Sequence, residues 1–278
     1  MRHRSFAALA LAAVASLGLA ACGGSDSTSS DASGSSSDVV TLTVGATPSP
    51  HAKILNYVND NLAADAGIKI KVVEYTDYVQ PNTALNDGEL DANFYQTVPY
   101  LENAEKQAGY DFEAGAGIHL EPLGVFSQKH KSLDELPNGG TIGIISDTSN
   151  QERALRLLAT QGLVSIPEGE GDVNVNTVTK LKDFSFNEVE GPQLVRSLED
   201  FDFAVINGNF AQEGGLSLSG DALVVESPVD NPAVNVLVWK AGSDKAAAIA
   251  KLEELLHSDQ VKQYIESTWS DGSVIPAF

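Results

Sequence analysis

Sulfur and positive charge are what this 278-residue chain has least of: one cysteine, one methionine, and 17 lysines and arginines against 38 aspartates and glutamates. A single cysteine excludes an intrachain disulfide framework. A formal net charge of −21 argues against nucleic acid, because phosphate repels such a surface unless a clustered basic face offsets it. Lys129, His130 and Lys131 are the nearest thing to one. Charge-driven adsorption to an anionic bilayer is excluded on the same ground. Long apolar runs are missing too, apart from Phe6–Ala21. Any membrane association therefore has to come from that segment or from a covalent lipid.

The N-terminus offers both. Arg2, His3 and Arg4 precede the apolar run, which is short for a membrane span and suited to a secretion signal. It closes on Leu19-Ala20-Ala21-Cys22, which resembles a bacterial lipobox, where the cysteine is acylated and the peptide is cut before it. Residues 1–21 are therefore expected to be a removable signal and Cys22 a lipidated anchor. An ordinary signal peptide with an incidental cysteine is the alternative. Residues 23–38 are nearly all Ser, Gly, Asp, Thr and Ala, a composition with nothing to bury. They read as a flexible leash with a reach of roughly 20–24 Å.

From Val40 onward, strand and helix patterns alternate. Strands are expected at 40–44, 68–74, 92–94, 141–145, 184–186, 203–206, 222–225 and 234–239. Helices are expected at 51–62, 82–85, 98–108, 151–161, 193–198, 245–256 and 260–268. Alternation of this kind predicts an α/β fold with mostly parallel sheets. The strand–turn–helix opening occurs twice, about a hundred residues apart, which predicts two similar lobes with a cleft between them.

Chemistry is sparse. The four histidines beyond the signal, His51, His119, His130 and His257, read as isolated from one another, with no metal-ligand spacing. No nucleophile elbow, phosphate loop or dinucleotide fingerprint is present, and Gly139-Gly140 precedes a strand instead of following one. Glu168, Glu170 and Asp172 form an acidic, glycine-interleaved run that reads as a solvated surface, with a cation site as the alternative. No catalytic residue, metal or cofactor is assigned.

Seven segments in order carry a resemblance. They are Val44-Gly-Ala-Thr-Pro-Ser-Pro-His51, Asp77-Tyr-Val-Gln-Pro-Asn82, Asp87-Gly-Glu-Leu-Asp-Ala-Asn-Phe94 and Tyr100-Leu-Glu102, then Lys131-Ser-Leu-Asp-Glu-Leu-Pro137, Ala204-Val-Ile-Asn-Gly-Asn209 and Val274-Ile-Pro-Ala-Phe278. Together they resemble the methionine-binding lipoproteins of NlpA/MetQ type, the substrate-binding components of ABC importers. The resemblance implies a two-lobed periplasmic-binding-protein fold, type II-like, whose α/β lobes are joined by two crossovers, near Glu121-Pro122 and near Asn231–Val234. Lobe I would combine 40–120 with 235–278, and lobe II would hold 121–234. It further implies a lipid-anchored protein on the extracytoplasmic face of the cell membrane, partnered by a permease and an ATPase and binding methionine or a close derivative. Another amino acid or a short peptide is the alternative cargo; an anchored enzyme or adhesin is the alternative from another class.

By the same resemblance Arg153 grips the ligand carboxylate, a role suited to a planar guanidinium at a helix N-terminus. Asn207 and Asn235 hydrogen-bond the ligand's amino and carboxylate groups, and Tyr78, Tyr95 and Tyr100 wall its side chain. On residue type alone, Arg153 reads as a surface arginine, Asn207 as a turn residue and the tyrosines as packing. Two departures touch the pocket: Thr97 stands where the family pattern has histidine, and Ala233 where it has tyrosine.

Overall fold

The computed structural model describes residues 39–169 and 171–278. The signal segment, Cys22, the leash and Glu170 of the acidic run lie outside the described residues. From Val40 the chain builds two sheets, each covered by helices, which form the two lobes of the fold.

The first sheet opens with β1 (Val40–Ala46), α1 (Lys53–Asn61), β2 (Ile68–Glu74), α2 (Gln80–Asn86), β3 (Ala92–Thr97), α3 (Val98–Ala108) and β4 (Phe112–Leu120). Apolar Ile54, Leu55 and Val58 lie at one-turn spacing on α1 and are all buried. The helix α3 is punctuated at both ends. Thr97 is its N-cap and accepts from the Tyr100 backbone N–H, Pro99 sits in its first turn, and Gly109 closes it in a left-handed conformation (φ 71°) that a side chain would resist.

The chain then passes through Glu121–Leu123 into the second sheet. Its elements are β5 (Gly124–Phe126), β6 (Gly140–Ile145), α4 (Thr148–Thr160), β7 (Val164–Ser165), β8 (Thr179–Lys180), β9 (Phe184–Val189), α5 (Gly191–Arg196), β10 (Phe203–Ile206), α6 (Gly208–Glu213) and β11 (Ala222–Val225). Asp147 caps α4, accepting from the Asn150 N–H at 2.9 Å. Residues 226–233 return the chain to the first sheet, which is completed by β12 (Val234–Lys240), α7 (Ala246–Leu256), α8 (Asp259–Thr268) and β13 (Ile275–Pro276).

Strand order is β13-β4-β12-β3-β1-β2 in one sheet and β11-β5-β10-β6-β9 in the other, with β7 and β8 pairing separately. The expectation of mostly parallel sheets needs correcting. Only β2-β1-β3 and β10-β6-β9 are parallel; β12 runs antiparallel to both β3 and β4, and β5 to both β10 and β11. The antiparallel halves depend on β4 and β5, which the sequence did not suggest. In β4, Gly115, Ala116 and Gly117 dilute the apolar signal, and β5 is three residues long.

Each sheet has its own core. Leu42, Val44, Phe94 and Leu237 pack under Ile249, Leu252 and Trp269 in the first lobe. In the second, Val125, Ile142, Ile144 and Phe203 pack under Leu155 and Leu158. Full burial of one such side chain stabilises by ~1.5–3 kcal/mol, so each sheet is held firmly by its own core.

Candidate functional site

Parallel strands in α/β sheets direct their carboxyl ends at ligands, and here both sheets aim at one place. Thr97 ends β3, Asn207 follows β10, and the α4 N-terminus follows β6. Register supplies more: Asn235 at the start of β12 lies opposite Thr97 on β3 and His119 on β4. The result is a cavity with ≈ 350 Å³ of empty space.

All seven expected ligand positions line this cavity: Tyr78, Tyr95, Thr97, Tyr100, Arg153, Asn207 and Asn235. Tyr78, Tyr95 and Tyr100 form one wall, with ring centroids 5.7–6.0 Å apart. Tyr95 and Tyr100 both donate their hydroxyls to the Tyr78 carbonyl, at 2.9 and 2.8 Å. The Tyr78 hydroxyl donates to Asn209 of the other lobe, and its ring stacks on Phe210 there, centroids 4.7 Å apart. Burial drives the Tyr78 and Tyr95 hydroxyls well above the ordinary 10, so all three act as neutral donors.

Arg153 faces the tyrosines from α4. Its Nε donates to Glu226 Oε1 at 2.9 Å, and Nη2 donates to Glu226 Oε2 and to the Glu121 carbonyl, the latter at 2.7 Å. The surface-arginine alternative does not hold, since its side chain is only 14% exposed. Asn207 donates to Asn150 at 2.8 Å, and Asn235 accepts from His51 Nε2 at 3.1 Å.

Thr97 plays a second part beyond any ligand contact. By capping α3 it holds the helix start, and with it Tyr100, one turn on. Below it, Gln96 joins Asn82 and Asn93 in a buried amide network with bonds of 2.8–2.9 Å, which fixes this end of β3.

Glu121 was missed as a site residue. Its carboxylate lines the cavity and is buried; Oε1 accepts from His119 Nε2 at 2.9 Å and lies 3.3 Å from His51 Nε2, while Oε2 has no hydrogen-bond partner. Burial lifts its pKa from the ordinary 4.5 to about 7. The reading of the histidines as isolated is corrected here, because His51 and His119 stand with ring centroids 4.9 Å apart. Burial depresses them to about 4 and about 3, leaving both neutral at pH 7. His51 also bonds Thr47 through Nδ1 at 2.7 Å. Two imidazoles and a carboxylate, with donor atoms within 4.8 Å of one another, are a set that a zinc ion takes. Here His119 Nε2 bonds Glu121 Oε1, and His51 Nε2 bonds Asn235 while lying 3.3 Å from that same oxygen; His119 Nδ1 and Glu121 Oε2 are left without partners. A glutamate next to the proline of an interlobe passage was the available signal for Glu121.

The seams of the cleft are joined. Gln212 on α6 accepts through Oε1 from Ser49 at 2.8 Å and from Trp269 Nε1 at 2.9 Å, so two groups of the first lobe hold one of the second. The cavity thus has an acid on one side, a guanidinium on another and aromatic rings on a third.

A family model described as NlpA lipoprotein matches residues 42–278. The chain belongs to the NlpA lipoprotein family. It is 86% identical to a lipoprotein from Actinomyces odontolyticus whose crystal structure superposes with a TM-score of 0.85, covering 87% of this chain and 100% of that one. It is 35% identical to the methionine-binding lipoprotein MetQ of Bacillus subtilis over 269 residues, 93% of each chain. A nutrient-binding protein from Burkholderia cenocepacia, solved bound to methionine, is 35% identical with a TM-score of 0.80, covering 85% of this chain and 100% of that one.

Proposed function

We propose that this member of the NlpA lipoprotein family is the lipid-anchored, extracytoplasmic binding component of an ABC importer and captures methionine or a close derivative. One observation carries the ligand class: the unpartnered, buried Glu121 Oε2 and the Arg153 guanidinium face the same tyrosine-walled cavity. An α-amino acid zwitterion supplies the ammonium that such a carboxylate lacks and a carboxyl oxygen for the arginine. Aromatic rings accept a thioether at ~0.3–1.5 kcal/mol per contact. The relative named for methionine and the one solved bound to it support the same choice.

In this reading Arg153, Asn207 and Asn235 hold the backbone of the ligand, Glu121 takes its ammonium, and Tyr78, Tyr95 and Tyr100 surround its side chain. Thr97 adjoins that wall, with less bulk than the histidine of the family pattern. Lobe I is 40–120 with 235–278 and lobe II is 121–234, hinged at the two passages. Residues 1–21 are removed, Cys22 is acylated and the leash lets the body meet a permease that a cytosolic ATPase drives. Among the described residues no helix is long and apolar enough to cross a membrane. The protein binds and releases; it does not transform.

The test is thermal. Protein stripped of bound ligand by unfolding and refolding is expected to melt later with L- or D-methionine, since ligand at a thousandfold above Kd stabilises by ~4 kcal/mol. No shift with either, and none with a methionine derivative, refutes the assignment. Native mass spectrometry of the unstripped protein identifies the cargo directly.

A further inference from the structure

Three distant segments bring nitrogen and oxygen donors together at the cavity wall. His51 comes from the turn before α1, His119 from the end of β4, Glu121 from the residue after β4, and Asn235 from β12, where it lies opposite His119. All four side chains are buried. Glu121 Oε1 is 2.9 Å from His119 Nε2 and 3.3 Å from His51 Nε2, and His51 Nε2 is 3.1 Å from Asn235 Oδ1. Zinc bonds of ~2.0–2.1 Å at tetrahedral angles hold neighbouring ligand atoms ~3.3–3.4 Å apart. The three spacings therefore reach a zinc-centred tetrahedron by small outward shifts.

The surroundings suit a coordinated ion. Both imidazoles are neutral at pH 7, so each has a lone pair to give. A metal on Nε2 requires the ring proton on Nδ1. For His51 the partner is in place: Thr47 Oγ1 stands 2.7 Å from Nδ1 and 3.5 Å from the Ser49 carbonyl. That hydroxyl can accept from the ring and turn its own proton to the carbonyl. The Phe94 ring stands edge-on to both imidazoles, centroids 4.8 and 5.3 Å away, and covers them with an apolar face. His119 Nδ1 has no acceptor, so its shifted proton would be buried unbonded, which makes the site weaker and more reversible than a closed structural one. Glu121 and Asn235 line the cavity, which gives an ion its way in. Imidazole nitrogens select zinc and its first-row neighbours over calcium and magnesium, which take oxygen sets.

We propose that His51, His119 and Glu121, completed by Asn235, bind a divalent transition-metal ion of zinc type, and that this ion antagonises capture of the amino acid. The metal site rests on the cluster alone. The antagonism rests on the reading in which Glu121 takes the ligand ammonium and Asn235 holds its backbone. An ion on Oε1 cancels the charge that attracts the ammonium, sets a positive centre beside it, and draws Asn235 Oδ1 away from the ligand.

Titration of the stripped protein with zinc by calorimetry, and with cobalt(II) by visible absorption, tests the site. Saturable zinc binding and the intense visible bands of tetrahedral cobalt are expected. His51→Gln or His119→Gln should weaken zinc by about tenfold or more and abolish the bands. His130→Gln and His257→Gln, at histidines outside the cluster, should leave both unchanged. Glu121→Gln keeps an oxygen for His119 and should weaken zinc likewise, which serves should a histidine variant fail to fold. At saturating zinc, Kd for L-methionine should rise by about tenfold or more, once a protein-free titration has measured the zinc that methionine itself binds. No zinc binding, or binding undiminished in both His119→Gln and Glu121→Gln, overturns the site. Zinc held by the cluster with methionine affinity unchanged overturns the antagonism alone. Failure of methionine to bind the zinc-free protein brings down the reading beneath the antagonism, while the cobalt spectrum still decides the site.

Discussion

Replacing Glu121 by glutamine separates the stability of the empty protein from its affinity, and it moves them in opposite directions. Burial raises the folded-state pKa to about 7 from 4.5. For a carboxylate so raised, the native state holds its proton more tightly than the unfolded chain. The stability associated with the group is fully present below pH 4.5 and is lost as pH rises through about 7. At 1.36 kcal/mol per pH unit that loss is at most about 3 kcal/mol. Glutamine keeps an Oε1 for the His119 donor and has no charge to bury. Empty Glu121→Gln should therefore be more stable than wild type at pH 8, by up to about 3 kcal/mol, and the difference should shrink toward pH 5. Binding should go the other way. Removing the carboxylate leaves the ligand ammonium buried without a counter-charge, a loss of ~2–5 kcal/mol, or roughly 30-fold to several thousandfold in Kd. Wild-type affinity should fall as pH drops below about 7 by up to about tenfold per pH unit, and the variant should lose one proton from that slope. Asp147 (about 6) and Glu213 (about 7), which burial also raises, remain to supply any residual slope. Urea denaturation of the stripped protein and calorimetry from pH 5 to 8 give both quantities. A variant that binds methionine like wild type with the same pH slope, or whose empty form is destabilised, refutes the role given to Glu121.

Arg153→Lys should abolish the methionine-induced thermal shift, because one ammonium cannot make the fork to Glu226 and also reach the Glu121 carbonyl; an undiminished shift removes Arg153 from the clamp. Gln212→Ala breaks two hydrogen bonds across the cleft, each worth about 1 kcal/mol. The empty protein should open, seen as a larger radius of gyration in solution scattering, and bind methionine more weakly; an unchanged radius and affinity would show that Gln212 does not hold the cleft. Gly143→Ala places a Cβ 2.6 Å from the buried ring of Phe201. Overpacking should cost about 1–3 kcal/mol by urea denaturation with Kd for methionine unchanged, whereas full stability would show that the ring gives way freely.

Local pattern carried much of the fold. Ile68–Glu74, Val98–Ala108, Phe203–Ile206 and Ala222–Val225 begin and end where alternation, caps and breakers place them. The expected helix at 51–62 is shorter, Lys53–Asn61, because the Pro48–Ala52 turn precedes it with Ser49 in extended conformation. What local pattern does not carry is pairing across the chain. The antiparallel half of each sheet depends on which distant strand β12 or β5 lies beside, and no period of 2 or 3.6 encodes that. The same limit hid the acid of the site. Glu121 and His51 are separated by most of the first sheet, and their contact exists only because β4 enters beside β12.

The position of Glu121 has a mechanical consequence. It lies in the three-residue passage between β4 and β5, where its side chain meets His51 and His119 of the first lobe and its carbonyl meets Arg153 of the second. One residue therefore carries the acid of the cavity and part of the passage between the two sheets. Opening the lobes would draw Arg153 from that carbonyl and admit water to the carboxylate, lowering the cost of its charge. Closure on a bare carboxylate would restore that cost, unless an ammonium enters with it. Burial of Glu121 thus opposes closing on an empty cavity and favours closing on a ligand with a positive amino group, which is how a binding protein signals occupancy by its shape.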